Sequence, residues 1–319
     1  MRPHYTAPSD ELLTLLRQRV DPIHLSQRLG IEHEHEADIF GQGFNLFHIE
    51  NWYSVHAIIR GLLRLSLLYQ RGRRNAIKIQ LRENNIALPG LPASFEGYTI
   101  LQMSDVHLDM HPQTPHAIAE ITRSIDYDLC VITGDFRART FGPFDAVLEA
   151  VQRIRPHINS PVYAVLGNHD TIRLVPGLEQ FDIRLLLNES VPLHRGDHTI
   201  YLAGVDDAHY YRTDNIEKAR NGIPDTATSI LLSHTPEPYR HAAHAGFDLM
   251  LSGHTHGGQI CLPGGLPLYC NMRAPRRLCQ GAWQHQQMQG YTSQGTGVSV
   301  VDVRLNCPPE ITLHRLSSR

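Results

Sequence analysis

Short apolar runs with the length of buried β-strands recur along the chain from Gly97 onwards. The predicted strands are Tyr98–Met103, Leu129–Thr133, Val162–Leu166, Thr199–Val205, Ser229–Ser233, Leu249–Ser252, Val298–Leu305 and Glu310–Leu316. Amphipathic stretches at Thr114–Ile125 and Phe144–Ile154 lie between the first three runs and predict helices. This alternation predicts an α/β domain with largely parallel strands.

Five of these runs are followed at once by side chains that bind metals or transfer protons. They are Asp105 and His107, then Asp135, then Asn168, His169 and Asp170, then His234, and finally His254 and His256. Ligand sites of α/β folds lie beyond the carboxyl ends of the strands, so these side chains should meet at one place. Each group alone has a structural explanation, because Gly-Asp marks turns and Asn-His-Asp can cap a helix. All five together favour one site lined by carboxylate, amide and imidazole groups.

The segment Leu249–Ile260 combines several of these signals, since two histidines follow an apolar run and precede two glycines. Residues two apart on an extended segment point the same way, so His254 and His256 should lie side by side. Neutral imidazole is a common metal ligand. Gly257 and Gly258 would let the backbone approach a substrate closely.

The chain resembles the calcineurin-like metallophosphoesterase superfamily in an ordered set of motifs from Gly97 to about Arg315. These motifs are Asp105-x-His107, Gly134-Asp135, Gly167-Asn168-His169-Asp170, His234 and Gly253-His254-x-His256. The form Gly-His-Thr-His-Gly-Gly-Gln-Ile is similar to a bacterial phosphodiesterase branch. The resemblance implies an α/β fold of two mixed β-sheets sandwiched between helices, here with an N-terminal helical extension. Residues 96–319 would then be the catalytic domain and residues 1–95 a helical accessory region.

The resemblance further implies a dinuclear centre of two divalent metal ions held by seven side chains. One ion would be bound by Asp105, His107, Asp135 and His256, and the other by Asp135, Asn168, His234 and His254, with Asp135 bridging. Mixed oxygen and imidazole ligands suit manganese, iron or zinc without selecting among them. The absence of thiolates argues against a structural zinc site.

The activity implied by the resemblance is hydrolysis of a phosphodiester or pyrophosphate bond by a hydroxide that bridges the two metals. His169 would be the general acid that protonates the leaving alkoxide, or a residue that only orients the phosphate. Asp170 would keep that imidazole charged. Arg137 would either contact a phosphate oxygen or lie in solvent. Asp206 and Asp207 follow another strand but match no motif, and they are predicted to be structural.

Other functions share these motifs. A phosphomonoesterase, including a protein phosphatase, would carry the same ligands. A non-catalytic metal-binding scaffold of the same fold is expected to have lost ligands, and none is missing here. A nuclease that uses the N-terminal arginines is disfavoured by the formal net charge of −3, which argues against nucleic acid as a partner.

The N-terminal region carries a different pattern. Short helices are predicted at Asp10–Arg19 and Pro22–Leu29, and Ile31–Asp38 is predicted to be a solvated loop rather than a metal-binding tract. Apolar residues recur with a helical period over Trp52–Tyr69, and the cluster Arg71-Gly72-Arg73-Arg74 follows. The segment 52–74 would either contact a membrane surface or pack on the catalytic domain.

The cellular location is inferred from three features. The five cysteines include no Cys-x-x-Cys pair, and an odd number without dense spacing favours a reducing compartment. The first ten residues lack a secretory signature, and no apolar run reaches the ~20 residues that span a bilayer. These features predict a cytoplasmic protein, or one held on the inner face of the membrane.

Overall fold

The computed structural model describes residues 8–41 and 53–318. The strands in chain order are β1 (Gln80–Ala87), β2 (Thr99–Met103), β3 (Leu129–Thr133), β4 (Val162–Val165), β5 (Ile183–Leu185), β6 (Glu189–Arg195), β7 (His198–Gly204), β8 (Ser229–Leu232), β9 (Leu249–Ser252), β10 (Cys261–Leu262), β11 (Leu266–Pro267), β12 (Gly281–His285), β13 (Met288–Thr292) and β14 (Glu310–Ser317). The helices are α1 (Asp10–Arg19), α2 (Pro22–Gly41), α3 (Tyr53–Leu65), α4 (Tyr69–Ala76), α5 (Thr114–Thr122), α6 (Asp145–Ile154), α7 (Val175–Glu179), α8 (Ile216–Arg220) and α9 (Tyr239–His244).

Two six-stranded mixed sheets make up the body of the fold. The first has the order β1-β14-β2-β3-β4-β5, in which β2 to β5 are parallel and β14 is antiparallel to β2. The second has the order β12-β13-β9-β8-β7-β6, with β6 and β12 as antiparallel edge strands. The prediction of an α/β fold with two mixed sheets between helices is confirmed.

Alternate residues of each strand face different cores, as the twofold period of a strand requires. Ile100 of β2 and Val131 of β3 point into a core between the two sheets, where they meet Leu251 of β9. The neighbouring Leu101 and Ile132 point outwards into a core covered by helices. Helices α1, α2, α5, α6 and α7 cover the first sheet, and α8 and α9 cover the second.

Most predicted strands are present within one or two residues, but the strand predicted at Val298–Leu305 is wrong. This segment runs as bends, and Val301 and Val303 are buried against Leu63 of α3. A Cβ atom on Gly72 of α4 would lie 2.7 Å from the Cβ of Val303, so the two segments are in close contact. The apolar alternation therefore serves helix packing rather than sheet pairing.

Strand β1 is an element that the sequence pattern did not predict. It pairs in parallel with β14 and forms an edge of the first sheet. Its sequence, Gln-Leu-Arg-Glu-Asn-Asn-Ile-Ala, is mostly polar and exposed, so it lacks the apolar signature of a buried strand. The segment 1–95 therefore contributes a strand as well as helices, and the domain boundary at residue 95 stays a prediction.

The solvated loop predicted at Ile31–Asp38 is wrong, because α2 continues without a break to Gly41. Glu32 on this helix is buried and accepts hydrogen bonds from Thr171 Oγ1 at 2.6 Å and from the Ile172 N–H at 2.8 Å. The acidic composition of this segment suggested a loop, but Glu32 is a buried hydrogen-bond acceptor on a helix.

A disulfide joins Cys270 to Cys279, while Cys130, Cys261 and Cys307 are buried thiols. This bond runs against the expectation of reduced cysteines. No helix within residues 8–41 and 53–318 is long and apolar enough to cross a membrane. The location of the protein in the cell stays a prediction.

The buried histidine of β14 makes the stability depend on pH. His314 donates from Nε2 to Gln102 Oε1 at 2.9 Å and accepts from Asn84 at 3.0 Å, which is the pattern of a neutral ring. Burial lowers the pKa of His314 from 6.5 to about 3, whereas the unfolded chain takes up a proton below about 6.5. This contribution to stability is therefore present above pH 6.5 and is lost as the pH falls towards 3, by roughly 1.4 kcal/mol per pH unit.

We expect His314→Gln to remove this dependence. Between pH 7 and pH 5, the free energy of unfolding should fall by about 2 kcal/mol more in the wild type than in the variant. Urea unfolding of metal-free protein at both pH values measures this difference. An equal loss in both proteins would contradict the assignment of a neutral His314.

Candidate metal centre

The predicted site residues follow strands of both sheets. Asp105 and His107 follow β2, Asp135 follows β3, Asn168 and His169 follow β4, His234 follows β8, and His254 and His256 follow β9. All of these residues are buried. The carboxyl ends of β2, β3 and β4 thus face those of β8 and β9, and the structure brings the predicted residues together at this edge.

Several of these residues adopt left-handed backbone angles that are rare outside glycine. The φ angles are 51° at Asp105, 57° at Asp135, 71° at His254 and 50° at His256. Such angles turn each chain segment sharply at the end of its strand and aim the side chain into the site. Strain of this kind clusters at functional sites, because a structure retains it only where neighbouring contacts enforce it.

The first cluster of potential ligand atoms comprises Asp105, His107 and His256. Nε2 of His107 lies 3.1 Å from Nε2 of His256, and Nε2 of His256 lies 3.4 Å from Oδ1 of Asp105. Nδ1 of His107 is 2.7 Å from the Arg137 carbonyl oxygen and donates to it. The Nε2 lone pair of a neutral His107 therefore points into the cluster.

The second cluster comprises Asp135, His234 and His254, with Asn168 beside them. Nε2 of His234 lies 3.3 Å from Asp135 Oδ2, 3.2 Å from His254 Nδ1 and 2.9 Å from Asn168 Oδ1. The other nitrogen of His234 donates to the Thr133 carbonyl at 2.8 Å, which directs Nε2 towards the cluster.

Asp135 connects the two clusters. Its Oδ2 atom lies 3.3 Å from Nε2 of His234 and 3.7 Å from Nε2 of His107. Its Oδ1 atom accepts the backbone N–H of His169 at 2.9 Å, which fixes the orientation of the carboxylate. One oxygen of Asp135 therefore faces both clusters at once.

The donor atoms fit divalent cations. Carboxylate oxygens and imidazole nitrogens converge in a buried space, where these close contacts need a positive charge to be favourable. Nε2 of His254 is buried and has no hydrogen-bond partner within the described part of the chain. The nitrogen of His254 that faces the second cluster is Nδ1, which lies 3.2 Å from Nε2 of His234, so Nδ1 is its candidate ligand atom.

The electrostatics also favour metal binding. Burial, together with nearby cationic groups, holds the pKa values of His254 and His256 well below the ordinary value, so both rings are neutral. Neutral imidazole is the form that binds metals. Burial opposes ionisation of Asp135, but the facing imidazoles, His234 first, still hold the pKa of this carboxyl well below its usual range.

His169 lies beside the clusters without belonging to either. Its ring meets the ring of His107 edge-on, with centroids 5.4 Å apart, and its Nδ1 is 3.0 Å from Thr140 Oγ1. It lines the cavity that opens from the metal ligands, together with Asp135 and Asn168. The side chain can therefore reach a substrate bound in that cavity.

The prediction that Arg137 lies in solvent is wrong, and Asp170 hydrogen-bonds to the backbone rather than to the His169 ring. Arg137 is buried and donates to the backbone carbonyls of His169, Thr140 and Gly142, so its guanidinium neither lies in solvent nor is placed to bind phosphate. The Asp170 carboxylate accepts backbone N–H groups, and Nδ1 of His169 meets Thr140 instead. Both residues shape the loops that carry the ligands.

Asp206 and Asp207 have structural contacts, in keeping with the prediction for them. Asp206 Oδ2 is 2.8 Å from Nε2 of His24, and Asp207 accepts the N–H groups of Tyr210 and Tyr211. Hydrogen bonds and charges from Arg28 and His24 hold the pKa of Asp206 below its ordinary value, although burial opposes this.

Two buried arginines near the site carry no sequence signal. Arg304 donates to the His256 carbonyl at 2.9 Å and to the Gly297 carbonyl at 2.6 Å. Arg28 of α2 donates to the Asp170 carbonyl at 2.7 Å, and its Nε lies 3.2 Å from Glu32. A single sequence cannot distinguish these arginines from exposed ones.

Comparisons with known proteins agree with this geometry. The family profile described as calcineurin-like phosphoesterase matches residues 98–258. The uncharacterized metallophosphoesterase YkoQ of Bacillus subtilis (strain 168) is 29% identical over 80% of this chain and 96% of that protein. The phosphodiesterase YaeI of Escherichia coli (strain K12) is 26% identical over 69% of this chain and 82% of that protein. The crystal structure of TT1561 of Thermus thermophilus matches with a TM-score of 0.43 and 11% identity over 63% of this chain and 90% of that chain.

We expect Arg28→Met to destabilise the protein strongly. The substitution removes the guanidinium that pairs with the buried Glu32 and Asp206, and breaking a buried ion pair in this way costs about 3–5 kcal/mol. Arg17→Met on α1 removes an exposed arginine and should change stability by less than about 0.5 kcal/mol. Urea unfolding of both variants measures the difference, and equal stabilities would contradict a supporting role for Arg28.

Proposed function

The chain belongs to the calcineurin-like phosphoesterase family, as its motifs predicted, and we propose that it is a metal-dependent phosphodiesterase. The bond that it cleaves would be a phosphodiester or a pyrophosphate. The observation that carries this proposal is the pair of buried ligand clusters joined by Asp135, with His169 beside them at the base of a cavity. Phosphoester hydrolysis is the activity that the family implies.

The proposed ligands are the seven side chains that the motifs predicted. Asp105, His107, Asp135 and His256 would hold one ion, and Asp135, Asn168, His234 and His254 the other. Two divalent ions supply activation of water near neutral pH and neutralise charge on the phosphoryl oxygens. We favour manganese, although iron or zinc suits the same ligands.

His169 is the proposed general acid. Departure of an alkoxide from a phosphodiester needs a proton, and an imidazole that lines the cavity can provide it. The backbone N–H of His169 is held by Asp135 Oδ1 and its Nδ1 by Thr140, so the ring position is fixed relative to the ligands. Fixed geometry of this kind is what proton transfer at a leaving oxygen requires.

The size of the cavity supports a diester or pyrophosphate, rather than a monoester, as the proposed substrate. The cavity has a volume of about 440 Å³ and extends from the ligands to side chains of α3 and of the segment 299–301. A phosphate monoester carries only one substituent. A substrate with groups on both sides of the phosphoryl centre would use the space beyond the ligands.

We also propose that the segment 52–74 contacts a membrane surface. Within its described part, Ile58 and Leu62 are 61% exposed and Leu65 is 84% exposed, although Leu63 packs against the catalytic domain. Large apolar side chains in solvent on a helix flanked by arginines are typical of interfacial helices.

Asp135→Asn should abolish binding of both ions, because this residue faces both clusters. We expect about two metal ions per chain in the wild type loaded with Mn²⁺ and fewer than one in the variant, measured by elemental analysis after desalting. Asp126→Asn removes an exposed carboxylate and should retain both ions. Full occupancy in Asp135→Asn would contradict the bridging assignment.

His169→Ala should impair hydrolysis most where the leaving group is poor. With the Mn²⁺-loaded enzyme, we expect turnover of diphenyl phosphate to fall about 100-fold or more. Turnover of bis-p-nitrophenyl phosphate should fall less, because nitrophenolate leaves without a proton. Steady-state rates for both diesters measure the contrast, and His198→Ala, which removes an exposed histidine, is the control.

Three results would contradict this proposal. Equal losses on the two diesters would mean that His169 positions the phosphate without donating a proton. Faster hydrolysis of p-nitrophenyl phosphate than of either diester would favour a phosphomonoesterase. Two bound ions with no turnover of any of these esters would favour a scaffold.

A further inference from the structure

Large apolar side chains are exposed on two separate segments that both contribute residues to the lining of the cavity. One segment is α3 with the turn after it, and the other is the hairpin formed by β10, β11 and the following residues. We call these side chains the apolar rim; they are Ile58, Leu62, Leu65, Leu67, Leu262, Leu266, Leu268 and Tyr269. Leu67 is 86% exposed and Leu266, Leu268 and Tyr269 are 60–61% exposed, so this surface is open to solvent.

The cavity links the apolar rim to the candidate metal centre. Leu62 from one segment and Leu268 from the other line the same cavity as His254 and Asn168. Ile59, Ile260, Val300 and Val301 also line it. The cavity therefore combines the polar candidate ligands with an apolar wall.

The two segments that carry the apolar rim hold charge of a single sign. Residues 53–78 and 261–280 contain nine arginine and lysine residues and neither Asp nor Glu, although the formal net charge of the whole chain is −3. Arg64, Arg71, Arg74 and Arg277 are exposed, whereas Arg73 pairs with Asp302. Basic residues thus border an apolar surface on a chain that is acidic overall.

The hairpin is held firmly against the site. The disulfide between Cys270 and Cys279 closes a loop directly after the hairpin. Thr255, which lies between His254 and His256, donates from Oγ1 to the Cys279 carbonyl at 2.6 Å. The apolar rim and the ligand segment are therefore linked by covalent and hydrogen bonds.

We propose that the apolar rim inserts into the surface of an anionic lipid bilayer and that the substrate is an amphiphilic phosphoester taken from that bilayer. Its hydrocarbon chain would lie between Leu62, Leu268 and Val300, and its phosphoryl group would lie at the ligands. The substrate class rests on the proposed phosphoesterase function, whereas binding to the bilayer does not.

A lipid surface fits these features better than a protein partner does. Leucine and tyrosine side chains on two protruding segments can enter the region between headgroups and acyl chains. Arginines without intervening carboxylates match the negative charge of phosphatidylglycerol or phosphatidylserine headgroups. A water-soluble phosphodiester would leave the apolar wall of the cavity without a function.

Vesicle flotation tests the docking surface. The wild type should float with phosphatidylcholine vesicles that contain 30% phosphatidylglycerol, and much less with phosphatidylcholine alone or at high salt. Leu65→Asp and Leu266→Asp should each weaken binding at least tenfold. Ile23→Asp, at an apolar position on α2 that is 80% exposed, is the matched control and should bind as the wild type does.

Two outcomes would overturn the docking proposal. The first is absence of wild-type binding to anionic vesicles, or equal binding by the rim variants. The second is a wild-type dimer in sedimentation velocity that Leu65→Asp converts to a monomer without any vesicle binding, which would make the apolar rim a contact between two copies of the chain.

A pair of diesters with the same leaving group tests the substrate class. For the Mn²⁺-loaded enzyme, kcat/KM for dodecyl p-nitrophenyl phosphate below its micellar concentration should exceed that for methyl p-nitrophenyl phosphate at least tenfold. Leu62→Asn should bring this ratio close to one. An unchanged ratio in Leu62→Asn, or no preference in the wild type, would overturn the amphiphile proposal.

The two sets of measurements fail independently. If the wild type binds anionic vesicles but hydrolyses neither diester, the result would count against the phosphoesterase function and leave the docking surface supported. Hydrolysis of the methyl diester without any preference for the dodecyl chain would keep the phosphoesterase function and reject the amphiphile.

Discussion

The Asp170 carboxylate ties together two strand ends, and the candidate metal centre depends on this interaction. Its Oδ2 accepts the N–H groups of Asp135 at 2.8 Å and Gly167 at 3.0 Å, and its Oδ1 accepts that of Phe136 at 2.9 Å. These bonds lie beneath the site, so they fix the loops without occupying the cavity. Arg28 of α2 donates a hydrogen bond to the backbone carbonyl of Asp170 at 2.7 Å. The position of Asp135, the candidate bridging residue, is thus set by a buried carboxylate whose hydrogen-bond donors in the described part of the chain are backbone N–H groups.

The ligand loops from the two sheets stabilise each other's unfavourable backbone angles. Residues with φ values of 51° at Asp105 and 71° at His254 carry strain of about 1–3 kcal/mol each. The N–H of His254 donates to both carboxylate oxygens of Asp105, at 3.1 and 3.0 Å. These hydrogen bonds stabilise both strained residues in their left-handed conformations. The loops approach so closely that a Cβ on Gly253 would lie 1.8 Å from Ser104 Oγ. The close approach of the two loops that compensates the strain therefore requires a glycine at position 253, next to the candidate ligand His254.

The sequence predicted that the candidate ligands meet because the positions and the ends of the strands follow from local patterns. An apolar run that ends in a polar residue identifies both the strand and the site. Local patterns could not identify the arginines that support the site, because Arg28, Arg137 and Arg304 become buried only through contacts with distant segments. Strand β1 was also missed, since an exposed edge strand owes its structure to pairing with β14 rather than to its own apolar residues. Patterns with a period of a few residues thus revealed the ligands but not the groups that position them.

The N-terminal region approaches the site from two directions. Behind the ligands, α2 supplies Arg28 to the buried Asp206 and Glu32 to the N–H of Ile172. In front of them, Leu62 and Leu63 of α3 form part of the cavity wall, and β1 completes the first sheet. The segment 96–319 taken alone would lack the arginine that pairs with Asp206 and one wall of the cavity. Helices α2 and α3 therefore contribute directly to the surroundings of the candidate metal centre, which the strands after residue 96 do not build alone.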